Sequence, residues 1–271
     1  MIANAMHGWR GASLAPRCAS SARRVVLALA GGALIGSCGS ALPPLPAPLD
    51  HEVGVELSGP ARDRAVEDLR RAEQRPVSFV AEHVLDAYDL ESGRGGRLQG
   101  ALAVARPDRF RLRSIGPAGL TVLDLVYRGG AYRATTAGGR EVTRGRVGRG
   151  PSPRGVPVDA IARAFLSRLE GTTVVSVRET RRARVVVLRD RERDELRVAI
   201  ARRGSDVLEE RSLRARRERL RLRYADHRVV RDGVRLPFRV TWTQSEPALR
   251  ATIVVRRYVI EPRLPAAAFD L

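Results

Sequence analysis

The chain reads as mainly β with two short helices, an α+β fold built on one large antiparallel sheet. Three observations lead there. Apolar residues alternate with arginine along most of the chain, the two-residue period of strands with one buried and one solvated face. Turn signals recur between those runs, at Gly93-Arg94-Gly95-Gly96, Gly129-Gly130, Gly138-Gly139 and Asp232-Gly233. Only two segments carry a helical period, and neither sits in a strand–helix–strand alternation, which argues against a parallel sheet.

Taken in order, residues 1–37 hold Arg10, Arg17, Arg23 and Arg24 and no acid. The apolar run Val25 to Gly36 follows. It is 12 residues long, short of the roughly 20 that a membrane-spanning helix needs. A basic region before a short apolar run is the layout of a secretory signal. Leu34-Ile35-Gly36-Ser37-Cys38 then resembles a bacterial lipobox, which implies a diacylglyceryl thioether on Cys38 and a mature N-terminus there. Cys18 would be discarded with the signal. Residues 38–58 read as a tether: four prolines within Pro43 to Pro48 favour an extended polyproline II chain.

The body, 59–271, follows. Pro60 to Arg75 is expected as a helix, with Ala61, Ala65, Val66, Leu69 and Ala72 on one face and Pro76 ending it. The second helix begins after Pro157. Val158, Ile161, Ala162, Phe165, Leu166 and Leu169 keep the i, i+3, i+4, i+7 pattern, and Gly171 is the expected stop. About ten or eleven strands are expected, in the blocks 77–143 and 172–260. Arg109-Phe110-Arg111-Leu112-Arg113 and Arg219-Leu220-Arg221-Leu222-Arg223-Tyr224 show the period most clearly. Two helices cover only part of so large an apolar face. Either the sheet closes into a barrel, or it curls and leaves an apolar concavity suited to acyl chains.

Composition narrows the function classes. All 49 basic residues are arginine, against 30 acids, for a net charge of +19. Without residues 1–37, the same 30 acids face 45 arginines, a net +15. The arginines are dispersed, and aromatics make up 4% of the chain, so base-stacking and basic-stripe nucleic-acid binding are disfavoured. A weak attraction to anionic head groups fits better. No HExxH, CxxC, GxSxG, Walker A loop or dinucleotide fingerprint occurs. His51, His83 and His227 do not pair at a metal spacing. Asp86, Asp89 and Glu91 read as solvated acids near a strand end. No enzyme, metal or cofactor is expected.

Four stretches, in order, carry a family resemblance. Asp108-Arg109-Phe110-Arg111-Leu112-Arg113 with Gly116-Pro117-Ala118-Gly119 and Leu120 to Leu125 is similar to the Asp-Arg-aromatic-Arg-Leu strand and Pro-x-Gly loop of the outer-membrane lipoprotein receptor LolB. Val156-Pro157-Val158-Asp159 and the helix to Gly171 resemble its middle helix. Arg223-Tyr224-Ala225-Asp226-His227 through Gly233-Val234-Arg235-Leu236-Pro237 resembles its Tyr-containing strand and Leu-Pro strand start. Ile260-Glu261-Pro262-Arg263-Leu264-Pro265 to Phe269 is more like the tail of the wider LolA/LolB-like carriers.

The resemblance implies a half-barrel: a curved, unclosed antiparallel sheet with a helical lid over an apolar cavity. It implies a lipid-anchored protein at the outer membrane facing the periplasm. Such a protein binds acyl chains of lipoproteins, helps receive or insert them, and meets a periplasmic carrier of LolA type. Carriage of other lipids, or an envelope scaffold that binds none, are the alternatives. Phe110, Leu112, Leu123, Leu125, Ile161, Phe165, Leu169 and Trp242 are the candidates for cavity or lid. In the loop, the resemblance calls for a large aliphatic where Ala118 stands. Ile115, Pro117, Ala118 and Leu120 are therefore the membrane-loop candidates, with Ile115 and Leu120 as the substitutes for bulk.

Overall fold

A computed structural model describes residue 49 and residues 53–74, 76–116, 119–136, 140–147, 156–166, 168–191, 194–246 and 248–271. Among the described residues, fourteen strands form one antiparallel sheet. They are β1 (Val55–Glu56), β2 (Ser78–Asp89), β3 (Gly95–Ala105), β4 (Arg109–Ile115), β5 (Thr121–Arg128), β6 (Ala131–Thr136), β7 (Glu141–Arg146), β8 (Thr173–Glu179), β9 (Ala183–Arg189), β10 (Glu195–Ala201), β11 (Val207–Arg214), β12 (Arg217–Arg231), β13 (Val234–Ser245) and β14 (Ala248–Ile260). The helices are α1 (Gly59–Gln74) and α2 (Val158–Phe165).

Strands β2 to β7 and β8 to β14 are two meanders, each strand paired with the next in sequence. The meanders join where β14 pairs antiparallel with β2, and β1 adds to β8. The sheet edges are β1 and β7, so it does not close into a barrel. The strand count exceeds the ten or eleven expected, in part because its two edges carry no hydrophobic period. β1 is two exposed residues, and β7 is exposed almost throughout.

One face of the sheet is apolar because the alternation places it so. In β4, Phe110, Leu112 and Ser114 are buried while the arginines between them are not. Side chains of this face from β2–β6 and β8–β14 form one continuous cluster with Ala65, Val66 and Leu69 of α1 and most of α2. α1 lies against β8 and β9, and α2 against β12 and β13. This face is the helix side of the sheet. The outer face carries two smaller apolar patches. One joins Val185, Val187 and Ala199 with Leu49; the other seats Phe269 of the C-terminal 3-10 turn on Ala103 and Val126.

α1 matches its expected span within a residue, Gly59 taking the positive φ that lets Pro60 occupy the first turn. α2 does not. It stops at Phe165 rather than running to Gly171, with Leu166 already extended. The cause is a competing acceptor. The Glu73 carboxylate accepts the backbone N–H groups of Arg168 (2.8 Å) and Leu169 (3.1 Å). A carboxylate offers those amides a charge-assisted bond that continuing the helix would forfeit.

Candidate functional site

The expected cavity and lid residues all lie on the helix side. Phe110, Leu112 and Leu125 are fully buried; Leu123, Ile161, Phe165 and Trp242 are buried too. Leu169, past the end of α2, is partly buried against the same cluster. Leu112 and Leu125 face each other across β4 and β5. The Phe110 ring stacks on Tyr127 at 5.0 Å, and Phe165 meets Phe79 edge-on at 6.4 Å. Trp242 stands opposite Leu222 and Ala251, on the far side of β14, β2 and β3 from β4. Thus the eight residues share one apolar layer, and in this structure their side chains fill it.

Open volume lies beside α1. A hollow of about 480 Å³ is lined by Arg70, Glu73, Val77, Arg106, Pro107 and Leu169, among others. Another of about 310 Å³ is lined by Arg62, Asp63, Val66, Arg70 and Val174. Of the eight candidates, Leu169 lines the larger one.

The polar groups that hold the cover were not among the sequence candidates. Arg106, just after β3, donates from Nε to the Phe165 carbonyl (3.3 Å) and from Nη1 to the carbonyls of Ala72 (3.2 Å) and Glu73 (2.6 Å). These carbonyls lie at the C-terminal ends of α2 and α1, where helices leave acceptors without intrahelical partners. One guanidinium therefore ties both helices to one point of the sheet. Burial, with Arg168 nearby, pulls its pKa down to about 10.

Next to it, Arg168 bonds through Nε to Glu210 of β11 (2.5 Å) and through Nη2 to the Tyr224 hydroxyl of β12 (2.7 Å), and lies 3.7 Å from Glu73. Burial works to lower the Arg168 pKa, but the Tyr224 hydroxyl and the Glu210 and Glu73 carboxylates outweigh it and hold it above its ordinary value. Burial raises the Tyr224 hydroxyl well above the usual phenol range, and Glu210 adds to it. α1 is also tied by Asp68 to Arg184 of β9 (2.7 Å). One sequence signal pointed here: Glu73 continues the apolar stripe of Ala65 and Leu69 at four-residue spacing. A carboxylate in a buried stripe needs partners.

Elsewhere, His83 of β2 is buried on the helix side, both ring nitrogens lacking a hydrogen-bond partner. Burial drops its pKa to about 4. It faces Gly100 across β3, and Gly100 in turn faces the buried Ser114. Asp89 accepts the backbone N–H groups of Glu91 and Ser92, which hold its carboxyl below the usual range. Asp86 sits 3.6 Å from Arg97. Among the described residues, no three His, Cys, Asp or Glu side chains are placed to hold a metal, and no helix is long and apolar enough to cross a membrane.

Of the loop candidates, Ile115 ends β4 half-buried and Leu120 is 66% exposed. Between them, Gly116 N–H bonds the Leu120 carbonyl, Gly119 N–H bonds the Gly116 carbonyl, and Gly119 takes a positive φ. Pro117 and Ala118 lie outside the described residues, as do Cys38 and residues 1–48. Leu49 is docked on the outer face, its N–H bonding Glu209 (3.3 Å) and its carbonyl accepting from Arg211.

No family model matches the sequence, and no curated protein matches it with significance. Solved structures do share the fold. A candidate outer membrane lipoprotein-sorting protein domain from Vibrio parahaemolyticus superposes with a TM-score of 0.59 at 10% identity, over 78% of this chain and 96% of its own. A DUF1329 family protein from Desulfovibrio piger gives 0.59 at 11% identity, over 77% and 95%. A LolA superfamily protein from Nitrosomonas europaea gives 0.57 at 9% identity, over 78% and 97%. The likeness is to the LolA-type fold in general rather than to LolB in particular.

Proposed function

We propose that this chain is a lipid-anchored envelope protein that takes acyl chains of lipoproteins between its sheet and its two helices. It helps receive or insert them at the outer membrane, facing the periplasm, with Cys38 as the acylated anchor and a LolA-type carrier as donor. The observation that carries this reading is how the cover is attached. Both helix ends converge on one guanidinium, Arg106, above a continuous apolar layer. Releasing these polar ties, with cargo replacing the apolar contacts of Leu69, Ile161 and Phe165, would separate α1 and α2 from that layer without breaking a strand pairing. Each methylene of cargo laid there contributes about 0.8 kcal/mol, so ten give roughly 8 kcal/mol before ordering costs. The exposed Leu120 beside the Gly116–Gly119 turn is the membrane-contacting side chain in this reading.

A second reading has its own observation. Phe110, Leu112, Leu125 and Trp242 already fill the layer, which favours a scaffold that keeps the fold without binding lipid. The two are separated by titrating the chain with a fluorescent fatty-acid probe, together with mass spectrometry of co-purifying lipids and lipopeptides. Saturable binding, weakened by Phe165→Asp in a chain that still folds, supports the carrier. No binding by the unmutated chain leaves the scaffold.

A further inference from the structure

We propose that the part of the outer face of β4–β7 left open beside the C-terminal 3-10 turn, which covers Val126, is a docking surface for an anionic lipid bilayer. The pairing registers place side chains on that face rung by rung. One rung is Arg111–Val126–Arg133–Arg144, a second Arg109–Arg128–Ala131–Arg146, and a third Arg113–Asp124–Thr135–Val142. Cross-strand partners share a face, so these rungs bring seven arginines together with one carboxylate. Asp124 is engaged by Arg111 in a bidentate pair of 2.8 and 2.6 Å. Asp108 approaches Arg109 at 3.7 Å from the adjoining turn, and Arg109 lies over the Phe269 ring. Arg128, Arg133, Arg144 and Arg146 make no ion pair with a described carboxylate.

The other half of the same outer face is the internal control. There arginines alternate with acids: Arg197 bonds Glu195 (2.5 Å), Arg211 and Arg223 bond Glu209 (2.8 and 3.0 Å), and Arg221 bonds Glu218 (2.7 Å). Three carboxylates thus answer these four arginines on β10–β12, whereas on β4–β7 Asp124 and the adjoining Asp108 face seven. A cationic face with this composition attracts an anionic surface, through contacts that salt screens. Two exposed aliphatic side chains argue for a bilayer over an acidic protein. Val142, 49% exposed, stands in the third rung, and Leu120, 66% exposed, precedes Thr121, whose hydroxyl Arg113 holds. Arginines flanked by exposed aliphatics suit the boundary between head groups and acyl chains.

This rests on the proposed membrane association but not on acyl-chain binding, and the test separates the two. The probe is sedimentation of the full chain carrying Cys38→Ser with vesicles of phosphatidylcholine, or of equimolar phosphatidylcholine and phosphatidylglycerol. The readout is the ratio of the two affinities compared between variants, because residues 1–37, with Arg10, Arg17, Arg23 and Arg24, contribute equally to all of them. Arg133→Glu with Arg144→Glu is expected to cut that ratio roughly tenfold or more, since each basic side chain near the surface is worth about fivefold. Arg181→Glu with Arg217→Glu, the same charge change at exposed sites off this face, should leave most of the ratio. Should the first pair fail to fold, Arg128→Gln with Arg146→Gln tests a separate rung. No preference for anionic vesicles by the unmutated face, or an equal fall in the on-face and off-face variants, overturns the proposal. A vesicle preference without fatty-acid probe binding would sink the carrier reading and leave this one standing.

Discussion

Replacing Arg106 by Met tests whether one side chain holds the cover down. Methionine keeps much of the volume and the apolar stem but removes every donor. Three carbonyl oxygens at the ends of α1 and α2 then lose their partner. Hydrogen bonds to a charged donor contribute about 1.5–3 kcal/mol each. Since Nη1 serves two acceptors, the lower figure applies, about 4.5 kcal/mol for the set. Burial and the neighbouring Arg168 charge offset part of this. Together they lower its pKa from 12.5 to about 10, which at about 1.36 kcal/mol per pH unit is a cost of about 3 kcal/mol. The net loss is about 1 kcal/mol. For a domain of this size that lowers the thermal midpoint by about 2–4 °C. Amide exchange should localise it: protection in the last turn of α1 and in α2 is expected to drop about fivefold, with β2 and β14 much less affected. If the layer beneath receives acyl chains, fatty-acid probe affinity rises in the same variant, because the closed cover no longer competes. Unchanged exchange in both helices and an unchanged midpoint would refute the latch.

Three further outcomes are expected. His83 is neutral in the folded state down to about pH 4, whereas its unfolded value is near 6.5. Below 6.5 the unfolded chain takes up a proton that the fold refuses, so stability falls with pH from about 6.5 to about 4, by roughly 3 kcal/mol, and then levels. His83→Leu should remove that part of the pH dependence of the urea midpoint; an identical slope in the variant would rule it out. Gly100→Ala should destabilise by about 2–3 kcal/mol, as its Cβ would fall 1.9 Å from the Arg113 carbonyl oxygen, a backbone atom; denaturant titration at constant m-value reads this. Finally, Cys38→Ala should leave an uncleaved precursor or release the chain from membranes, and intact-mass analysis finding an unmodified Cys38 inside a longer chain would remove the anchor.

The fold class was written in local patterns. A two-residue period holds a strand to one face whatever its neighbours do, so β4, β12 and the apolar helix side follow from residues such as Phe110, Leu112, Leu220 and Leu222 alone. The 3.6-residue period of α1 is equally local, and its ends are set by Pro60 and Pro76. What the alternation could not decide was anything set by a partner distant in sequence. α2 ends at Phe165 because a carboxylate on α1, 95 residues earlier, takes the amide of Arg168, and nothing within the segment announces that. The tie at Arg106 joins carbonyls from two helices whose sequence positions are unrelated to its own. The asymmetry of the outer face likewise emerges only when registers place Arg133 beside Arg144 and Glu209 beside Arg223. Charge in a sequence adds without regard to position. On a sheet it counts by which residues share a rung, and only the folded pairing decides that.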